Sequence, residues 1–286
     1  MLRIIMGVLV CCISLTGYFM IIPSKAPAAA GWIDYYKIDF EKRTPQNQAL
    51  YDQRNDKLWK HEIGFINMKD TGYSRIENVV VENGMLKILG KKEWVVNANY
   101  NLGAVNPFKR KKFADYSTGS IIFRPAFQYG KVEIVARTPK GLGISPQIWL
   151  FVPDEQQYGY GEIDIMEYFG NLDLHTAYST LHYGPSWRRL EHTSQKTVIP
   201  DFEETWHTYR LEWLPNLIAI YIDDKLVLSE NPDIAKKGGF DPLRQPMQLR
   251  LSMSLGNKTI GPVEETELPA EFAIKSIHIW KLRGYE

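Results

Sequence analysis

Cysteine is nearly absent from this sequence of 286 residues, since its two cysteines, Cys11 and Cys12, stand side by side in an apolar N-terminal run. The remaining chain therefore has no material for a disulfide, a thiolate metal site or a cysteine nucleophile. Arg3 precedes the run and the small-residue stretch PSKAPAAAG follows it, which is typical of a secretory signal peptide with cleavage after Ala28 or Ala30. Because the run is long for a signal, an uncleaved anchor is the alternative.

Net charge is also small. The sequence carries +1 at pH 7, and cleavage of residues 1–30 removes Arg3 and Lys25 but no acidic residue, which changes the net charge to −1. This balance gives no indication of a nucleic-acid partner. Hydrophobic residues make up 44% and aromatic residues 13%, which excludes a disordered chain. We expect a monomeric protein, secreted or periplasmic, that contacts a membrane only where the N-terminal segment stays uncleaved.

Long helical periodicity, linkers and internal repeats are missing after the signal segment, and short alternating runs recur instead. The pairs Asn83-Gly84 and Asp223-Asp224 between such runs are typical of hairpin turns, because these residues tolerate positive φ. Regularly spaced short strands with turn signals predict an all-β sandwich or barrel. The clearest runs are NVVVENGMLKILGKK, YGKVEIVARTP, HTYRLEWLPN, LIAIYIDDKLVL, PMQLRLSMSLG and AIKSIHIWKL.

Several of these runs have one apolar and one polar face. The polar faces carry Gln147 and Trp149 in SPQIWLF, His182 in TLHYG, and Arg250 and Ser252 in PMQLRLSMSLG. Such a face is ordinarily the solvent-exposed side of an antiparallel strand. The combination of a tryptophan, a histidine and an arginine with nearby acids favours instead the concave floor of a cleft that binds a polar ligand.

Three acids occupy six positions in the stretch GEIDIMEYFG. On a regular strand, Glu162 and Asp164 share a face and Glu167 points to the other side. One extra residue, a β-bulge at Ile165–Met166, would bring Glu167 round to the first face. Two carboxyl groups flanking a glycosidic bond are the minimum equipment for hydrolysing it. The alternative is a solvated acidic strand without a catalytic role.

The same stretch resembles the active-site signature of glycoside hydrolase family 16, in the form E-x-D-x-x-E found in its laminarinase-like, agarase and carrageenase members. Other segments that are similar to the family follow in the expected order and together cover about residues 115–282: YGKVEIVARTPKGLGISPQIWLF as an upstream strand pair, STLHYGP, WHTYRLEWLPNLIAIYIDDKLV and LPAEFAIKSIHIWKL. The resemblance implies a β-jelly-roll sandwich of two curved antiparallel sheets with an open substrate cleft. It also implies one catalytic domain over residues 31–286 and retaining chemistry.

Carried onto this sequence, the resemblance implies that Glu162 is the nucleophile, Glu167 the acid/base and Asp164 a helper that shares a proton with Glu162. His182 matches the family histidine near the acid/base, and Trp149 matches a cleft tryptophan that stacks on a sugar ring. The alternatives are a structural, hydrogen-bonded role for His182 and a core position for Trp149.

Several positions depart from the laminarinase-like pattern. Ser145 stands where many members have a tryptophan, Gln147 replaces a small residue, and Ser252 takes the place of an asparagine. We expect Gln147 and Ser252 to contact the substrate. The candidate substrates are therefore β-1,3-glucan, mixed β-1,3-1,4-glucan, and an acidic or substituted bacterial or algal polysaccharide.

Basic residues raise two further points. Arg250, if it points into the cleft, would offer two donors to a carboxylate or sulfate, and the basic loop Lys109–Lys112 could add to this charge. Lys275 stands where relatives use an aspartate to bind calcium. An ammonium group cannot ligate a cation, so we predict no structural calcium, and the sequence implies no other metal or cofactor.

The sequence favours an endo-acting, retaining β-glycosidase that hydrolyses a polysaccharide. A polysaccharide transglycosylase would use the same residues and is the first alternative. A non-catalytic carbohydrate-binding protein is the second.

Overall fold

The computed structural model describes residues 31–66, 70–105, 107–170 and 173–286. The predicted signal segment lies outside these residues. Within the described part of the chain no helix is long and apolar enough to cross a membrane. The described residues contain two α-helices, α1 (Gln48–Tyr51) and α2 (Glu155–Tyr158), and the short 3₁₀ helices Ile76–Asn78, Pro107–Arg110, Pro232–Ala235, Pro242–Arg244 and Glu265–Glu267.

Strands dominate the described residues. They are β1 (Trp32–Asp39), β2 (Trp59–His61), β3 (Gly72–Ser74), β4 (Val79–Glu82), β5 (Met85–Val96), β6 (Phe113–Thr118), β7 (Ser120–Phe123), β8 (Gly130–Arg137), β9 (Ile144–Phe151), β10 (Tyr160–Tyr168), β11 (Thr176–Ser186), β12 (Arg189–Val198), β13 (His207–Leu214), β14 (Leu217–Ile222), β15 (Lys225–Glu230), β16 (Gln248–Leu255) and β17 (Ala270–Leu282).

These strands form two sheets. The larger has ten strands in the order β15-β14-β13-β8-β17-β5-β6-β3, with β1 beside β17 and β4 beside β5. The smaller has seven strands in the order β12-β11-β10-β9-β16-β7-β2. The pairing is antiparallel except between β3 and β6. The predicted all-β sandwich of antiparallel sheets is confirmed.

The hydrophobic core lies between the two sheets and follows from the alternation of the strands. Ile148 and Leu150 of β9 and Leu249 and Leu251 of β16 are fully buried in it. Burying each such side chain stabilises the fold by ~1.5–3 kcal/mol. Because the apolar face of the smaller sheet is committed to the core, its other face carries the polar side chains.

Both predicted hairpin turns are confirmed. Asn83 and Gly84, between β4 and β5, have φ values of 51° and 72°. Asp223 and Asp224, between β14 and β15, have φ values of 48° and 62°. Two successive left-handed residues give the turn whose twist matches that of the flanking strands.

Strands β8 and β9, which resemble a family strand pair, lie in opposite sheets. β8 pairs with β13 and β17, and β9 pairs with β10 and β16. The connection crosses the edge of the sandwich at Gly143, which has a φ of 72°. A Cβ atom there would lie 2.2 Å from the carbonyl oxygen of Pro262, so this crossing requires glycine.

Candidate active site

Strand β10 contains the predicted bulge. From Asp164 to Glu167 this strand advances three residues while its antiparallel partner β11 advances two. The extra residue lies in the pair Ile165–Met166, and both of these side chains are fully buried in the core. The apolar pair turns inward, which allows the acids on either side of it to share the outer face of the sheet.

The three acids line one cleft of about 530 Å³ on the polar face of the smaller sheet. The substrate-contact residues predicted from the sequence also line it, with the exception of His182; they are Gln147, Trp149, Arg250 and Ser252. The bulge and the strand alternation together account for this convergence.

Glu162 receives a hydrogen bond from the hydroxyl of Tyr160, two residues earlier on the same face of β10. Burial raises the pKa of Glu162, whereas the hydrogen bonds from Tyr160 and Asp164 and the positive charge of Arg250 act to lower it. The pKa of Asp164 is raised well above its usual range by burial and then by the negative charges of Glu162 and Glu167. The raised pKa favours the protonated form of Asp164, which can donate to Glu162.

Glu167 is in a different electrostatic state. Burial, and then the negative charge of Glu162, raise the pKa of Glu167 to about 8. At neutral pH Glu167 consequently holds a proton that it can give to a ligand in the cleft. The two glutamates thus differ, because hydrogen-bond donors and a nearby cation stabilise the ionised form of Glu162.

His182 lies beside Asp164 and Glu162. Its Nε2 atom is 3.4 Å from Oδ2 of Asp164 and 3.9 Å from Oε1 of Glu162. Burial lowers the pKa of His182 to about 4, so the ring is neutral at pH 7. We expected this histidine close to Glu167, but the strand register sets it directly opposite Glu162.

Arg250 faces the cleft, as predicted, but its guanidinium is paired within the protein. Nε lies 3.0 Å from Oε2 of Glu62, and Nη2 donates a hydrogen bond of 3.1 Å to Oε1. The guanidinium also lies over the rings of Trp149 and Phe151, at 4.3 Å and 4.4 Å from their centroids. The expectation of a donor reserved for a substrate carboxylate was therefore incomplete, because Glu62 occupies this position.

Trp149, Ser252 and Gln147 are linked across strands β9 and β16. Nε1 of Trp149 donates to Oγ of Ser252 at 3.1 Å, and that hydroxyl donates to Oε1 of Gln147 at 2.9 Å. Trp149 is thus a cleft residue and not a core residue. Its indole is fixed from the edge by Ser252 and covered on one side by Arg250.

Several cleft residues were missed by sequence reasoning: Tyr160, Asp70, Trp187 and Leu190. Glu62, the ion-pair partner of Arg250, was missed as well. Period-two alternation could have found Tyr160, which lies two residues before Glu162. Asp70 accepts hydrogen bonds of 2.7 Å from both Ser254 and Asn257, and Trp187 is 48% exposed at the turn between β11 and β12. No local pattern marks these positions.

The basic residues singled out in the sequence lie elsewhere. None of Lys109–Lys112 is among the described residues that line the acidic cleft, and Lys111 instead lines a second cavity of about 740 Å³ with Tyr116 and Lys258. The ammonium group of Lys275 lies 4.1 Å from the ring centroid of Trp206, a cation–π contact. The lack of a calcium site at Lys275 stays a prediction.

A sandwich of two antiparallel sheets with carboxyl groups on a bulged strand across an open cleft has the features of a glycosidase. Residues 77–267 match the model of the glycosyl hydrolases family 16, and the chain belongs to this family.

Known relatives and solved structures agree with this assignment. A β-glucanase of Rhodothermus marinus is 28% identical over 225 residues, which cover 73% of this chain and 72% of the relative. The catalytic domain of a laminarinase from Thermotoga maritima superimposes with a TM-score of 0.70 at 26% identity, over 87% of this chain and 98% of that one. The predicted jelly-roll class is therefore confirmed, as is membership of the glycosidases.

Two other similarities are to proteins described by different carbohydrates or by binding alone. A structure from work on endo-acting O-glycanases with which human gut microbiota initiate mucin breakdown gives a TM-score of 0.78 at 27% identity, covering 92% of this chain and 95% of that one. A β-1,3-glucan-binding protein of Penaeus monodon is 26% identical over 66% of this chain. The chain spans 65% of the length of that protein.

Proposed function

We propose that the protein is an endo-acting, retaining glycosidase that cleaves a polysaccharide by double displacement. This proposal rests on two carboxyl groups of one cleft that differ in their protonation. One holds a proton at neutral pH, and the ionised form of the other is stabilised by its neighbours. Glu167 has a pKa of about 8, whereas Glu162 is hydrogen-bonded by Tyr160 and lies in the field of Arg250. An acid and a nucleophile flanking the glycosidic bond are what a retaining glycosidase needs.

In the first step, Glu162 attacks the anomeric carbon, the bond to the leaving oxygen breaks, and Glu167 gives that oxygen its proton. In the second step, Glu167 takes a proton from water, the resulting hydroxide attacks the anomeric carbon, and Glu162 departs as a carboxylate. Glu162 is uncharged while it is esterified. Its effect on the pKa of Glu167 then disappears, which favours the change of Glu167 from acid to base.

The first candidate substrate is a neutral β-1,3- or mixed β-1,3-1,4-glucan. The β-glucanase and laminarinase relatives support it. Because Arg250 is paired with Glu62, the floor of the cleft offers no unpaired guanidinium at this point to an acidic sugar. This pairing weighs against a substrate whose carboxylate or sulfate binds at Arg250.

The second candidate substrate is an O-glycan of the mucin type. It is favoured by the similarity to the O-glycanase structure over 92% of this chain. The serines at positions 145 and 252, which replace residues typical of laminarinase-like members, are consistent with a sugar other than glucose in the cleft.

A substrate panel tests the proposal. Laminarin, lichenan, mucin O-glycans and a sulfated carrageenan are incubated with the wild type and with Glu162→Gln, and reducing ends and product masses are followed. Proton NMR of the first product should show the β-anomer. An α-anomer contradicts retention, products longer than the substrate support the transglycosylase alternative, and binding without cleavage that Glu162→Gln leaves unchanged supports the binding-protein alternative.

A further inference from the structure

We propose that Glu162, Asp164 and His182 form a binding site for a divalent transition metal such as zinc, and that the bound cation blocks the cleft. This goes beyond the proposed hydrolysis, because the site binds a cation without using the acid/base Glu167. One ligand atom from each of the three residues lies within 4.8 Å of the other two.

The separation of His182 from Asp164 fits tetrahedral coordination. Ligand atoms about 2.0–2.2 Å from a tetrahedral zinc lie about 3.3–3.6 Å from one another. Nε2 of His182 is 3.4 Å from Oδ2 of Asp164 and 3.9 Å from Oε1 of Glu162, so Glu162 must move a few tenths of an ångström toward the ring to complete the site. A hydrogen bond between the ring and Asp164 would bring these atoms closer than they are.

A buried and unpartnered oxygen points to the same place. Oδ2 of Asp164 accepts no hydrogen bond from any residue in the described part of the chain, although the side chain is only 3% exposed. A buried carboxyl oxygen without a partner is costly to maintain. A cation held between this oxygen and the ring of His182 would satisfy it.

Carboxylate oxygens and an imidazole nitrogen are ligands that zinc takes in proteins. The cation would neutralise Glu162 and exclude a sugar from it, which makes the inhibition competitive.

Cobalt provides a probe of the geometry. The wild-type protein, without substrate, is titrated with Co²⁺ at pH 7.5 and the visible spectrum of tetrahedral cobalt is followed, and Zn²⁺ is then added to displace it. We expect one cobalt for each chain and a loss of the spectrum with zinc. His182→Ala should weaken cobalt binding at least about 10-fold.

Matched controls separate this site from general metal binding. Glu167→Gln alters an acid of the same cleft outside the ligand set and should retain the cobalt spectrum. His278→Ala alters a histidine on β17, in the other sheet, whose Nε2 lies 2.7 Å from Asp34, and should retain it too. If His182→Ala does not fold, as judged by circular dichroism, His182→Gln carries the same test.

Two results overturn the proposal: no cobalt spectrum at millimolar metal, or a spectrum that the His182 variants leave unchanged. Neither depends on hydrolysis, because no substrate is present. An inactive protein that binds cobalt would contradict the proposed function alone, and an active protein that does not bind it would contradict this site alone.

Discussion

The carboxylate of Glu62 forms an ion pair with the guanidinium of Arg250, in which Nη2 donates a hydrogen bond of 3.1 Å and Nε lies 3.0 Å from the other oxygen. Ser120 orients the same carboxylate by donating a hydrogen bond of 2.6 Å to Oε2. The two charged side chains are only 15% and 13% exposed. Because water reaches neither charge well, each depends on the other, and the pair acts as a structural support beneath Trp149.

Removal of one partner should therefore destabilise the fold. Arg250→Met leaves Glu62 buried without a counter-ion, and breaking a buried pair in this way costs about 3–5 kcal/mol. We expect a loss of this order in the free energy of unfolding, measured by urea denaturation. The double variant Arg250→Met/Glu62→Met should recover most of it.

The exposed pair of Lys140 and Glu204 is the control for this prediction, since its atoms are 3.7 Å apart and its side chains are 51% and 65% exposed. Lys140→Met should change the free energy of unfolding by less than about 1 kcal/mol. An Arg250→Met protein as stable as the wild type would show that Arg250 does not depend on Glu62.

Tyr160 should set the acid limb of the pH–activity profile. Its hydrogen bond favours the ionised form of Glu162, so Tyr160→Phe removes an effect that lowers the pKa of this carboxyl. Because the nucleophile must be ionised, the acid limb of kcat/KM should move to higher pH. The measurement is kcat/KM as a function of pH on the best polysaccharide.

Tyr116 provides a matched comparison outside the cleft, because its hydroxyl donates to Glu265 at 2.7 Å. Tyr116→Phe should leave the acid limb in place. If Tyr160→Phe also leaves it in place, the acid limb does not report the ionisation of Glu162.

The pKa of Glu167 should depend on Glu162. The negative charge of Glu162 is the second cause, after burial, of the rise of this pKa to about 8. Glu162→Gln removes the charge but keeps the shape, so the pKa of Glu167 should decrease while burial keeps it above the usual value of about 4.3. Carbon-13 NMR of labelled glutamate side chains measures it.

The exposed Glu265 is the control, and Glu265→Gln should leave the Glu167 titration unchanged. An unchanged titration in Glu162→Gln would contradict the electrostatic coupling on which the change of Glu167 from acid to base depends.

Local rules were enough to predict the bulge and the hairpins. The acids at 162, 164 and 167 cannot share a face on a regular strand. An extra residue within the apolar pair Ile165–Met166 could shift the alternation and bring Glu167 to the face of the other two acids. The turns at residues 83–84 and 223–224 follow from the φ preferences of their own residues. In each case the residues that determine the local backbone geometry lie within a few positions of one another in the sequence.

Partners distant in the chain could not be predicted in this way. Alternation placed Arg250 on the polar face of β16, but Glu62, which pairs with it, lies 188 residues away along the chain. Ser254 and Asp70 are 184 residues apart. The position of His182 depends on the register of β10 against β11, which the spacing within either strand does not specify.

His61 should make the stability of the fold depend on pH. The ring is 3% exposed, and neither nitrogen has a hydrogen-bond partner among the described residues. Burial lowers the pKa of His61 to about 4, whereas in the unfolded chain a histidine has a pKa of about 6.5. Between these values the unfolded state takes up a proton that the folded state does not.

The contribution of His61 is therefore complete above about pH 6.5 and is lost as the pH decreases toward 4, by up to about 3 kcal/mol. His61→Phe cannot take up a proton, so its free energy of unfolding should decrease less between pH 7 and pH 5 than that of the wild type. The dependence should be reduced and not abolished, because His182 is also held neutral by burial.

Urea denaturation at the two pH values measures the change in the free energy of unfolding. The control is His175→Phe, because the side chain of His175 is 53% exposed. If His61→Phe loses as much stability as the wild type between pH 7 and pH 5, the folded protein accepts a proton at His61 and the ring is not sealed from water.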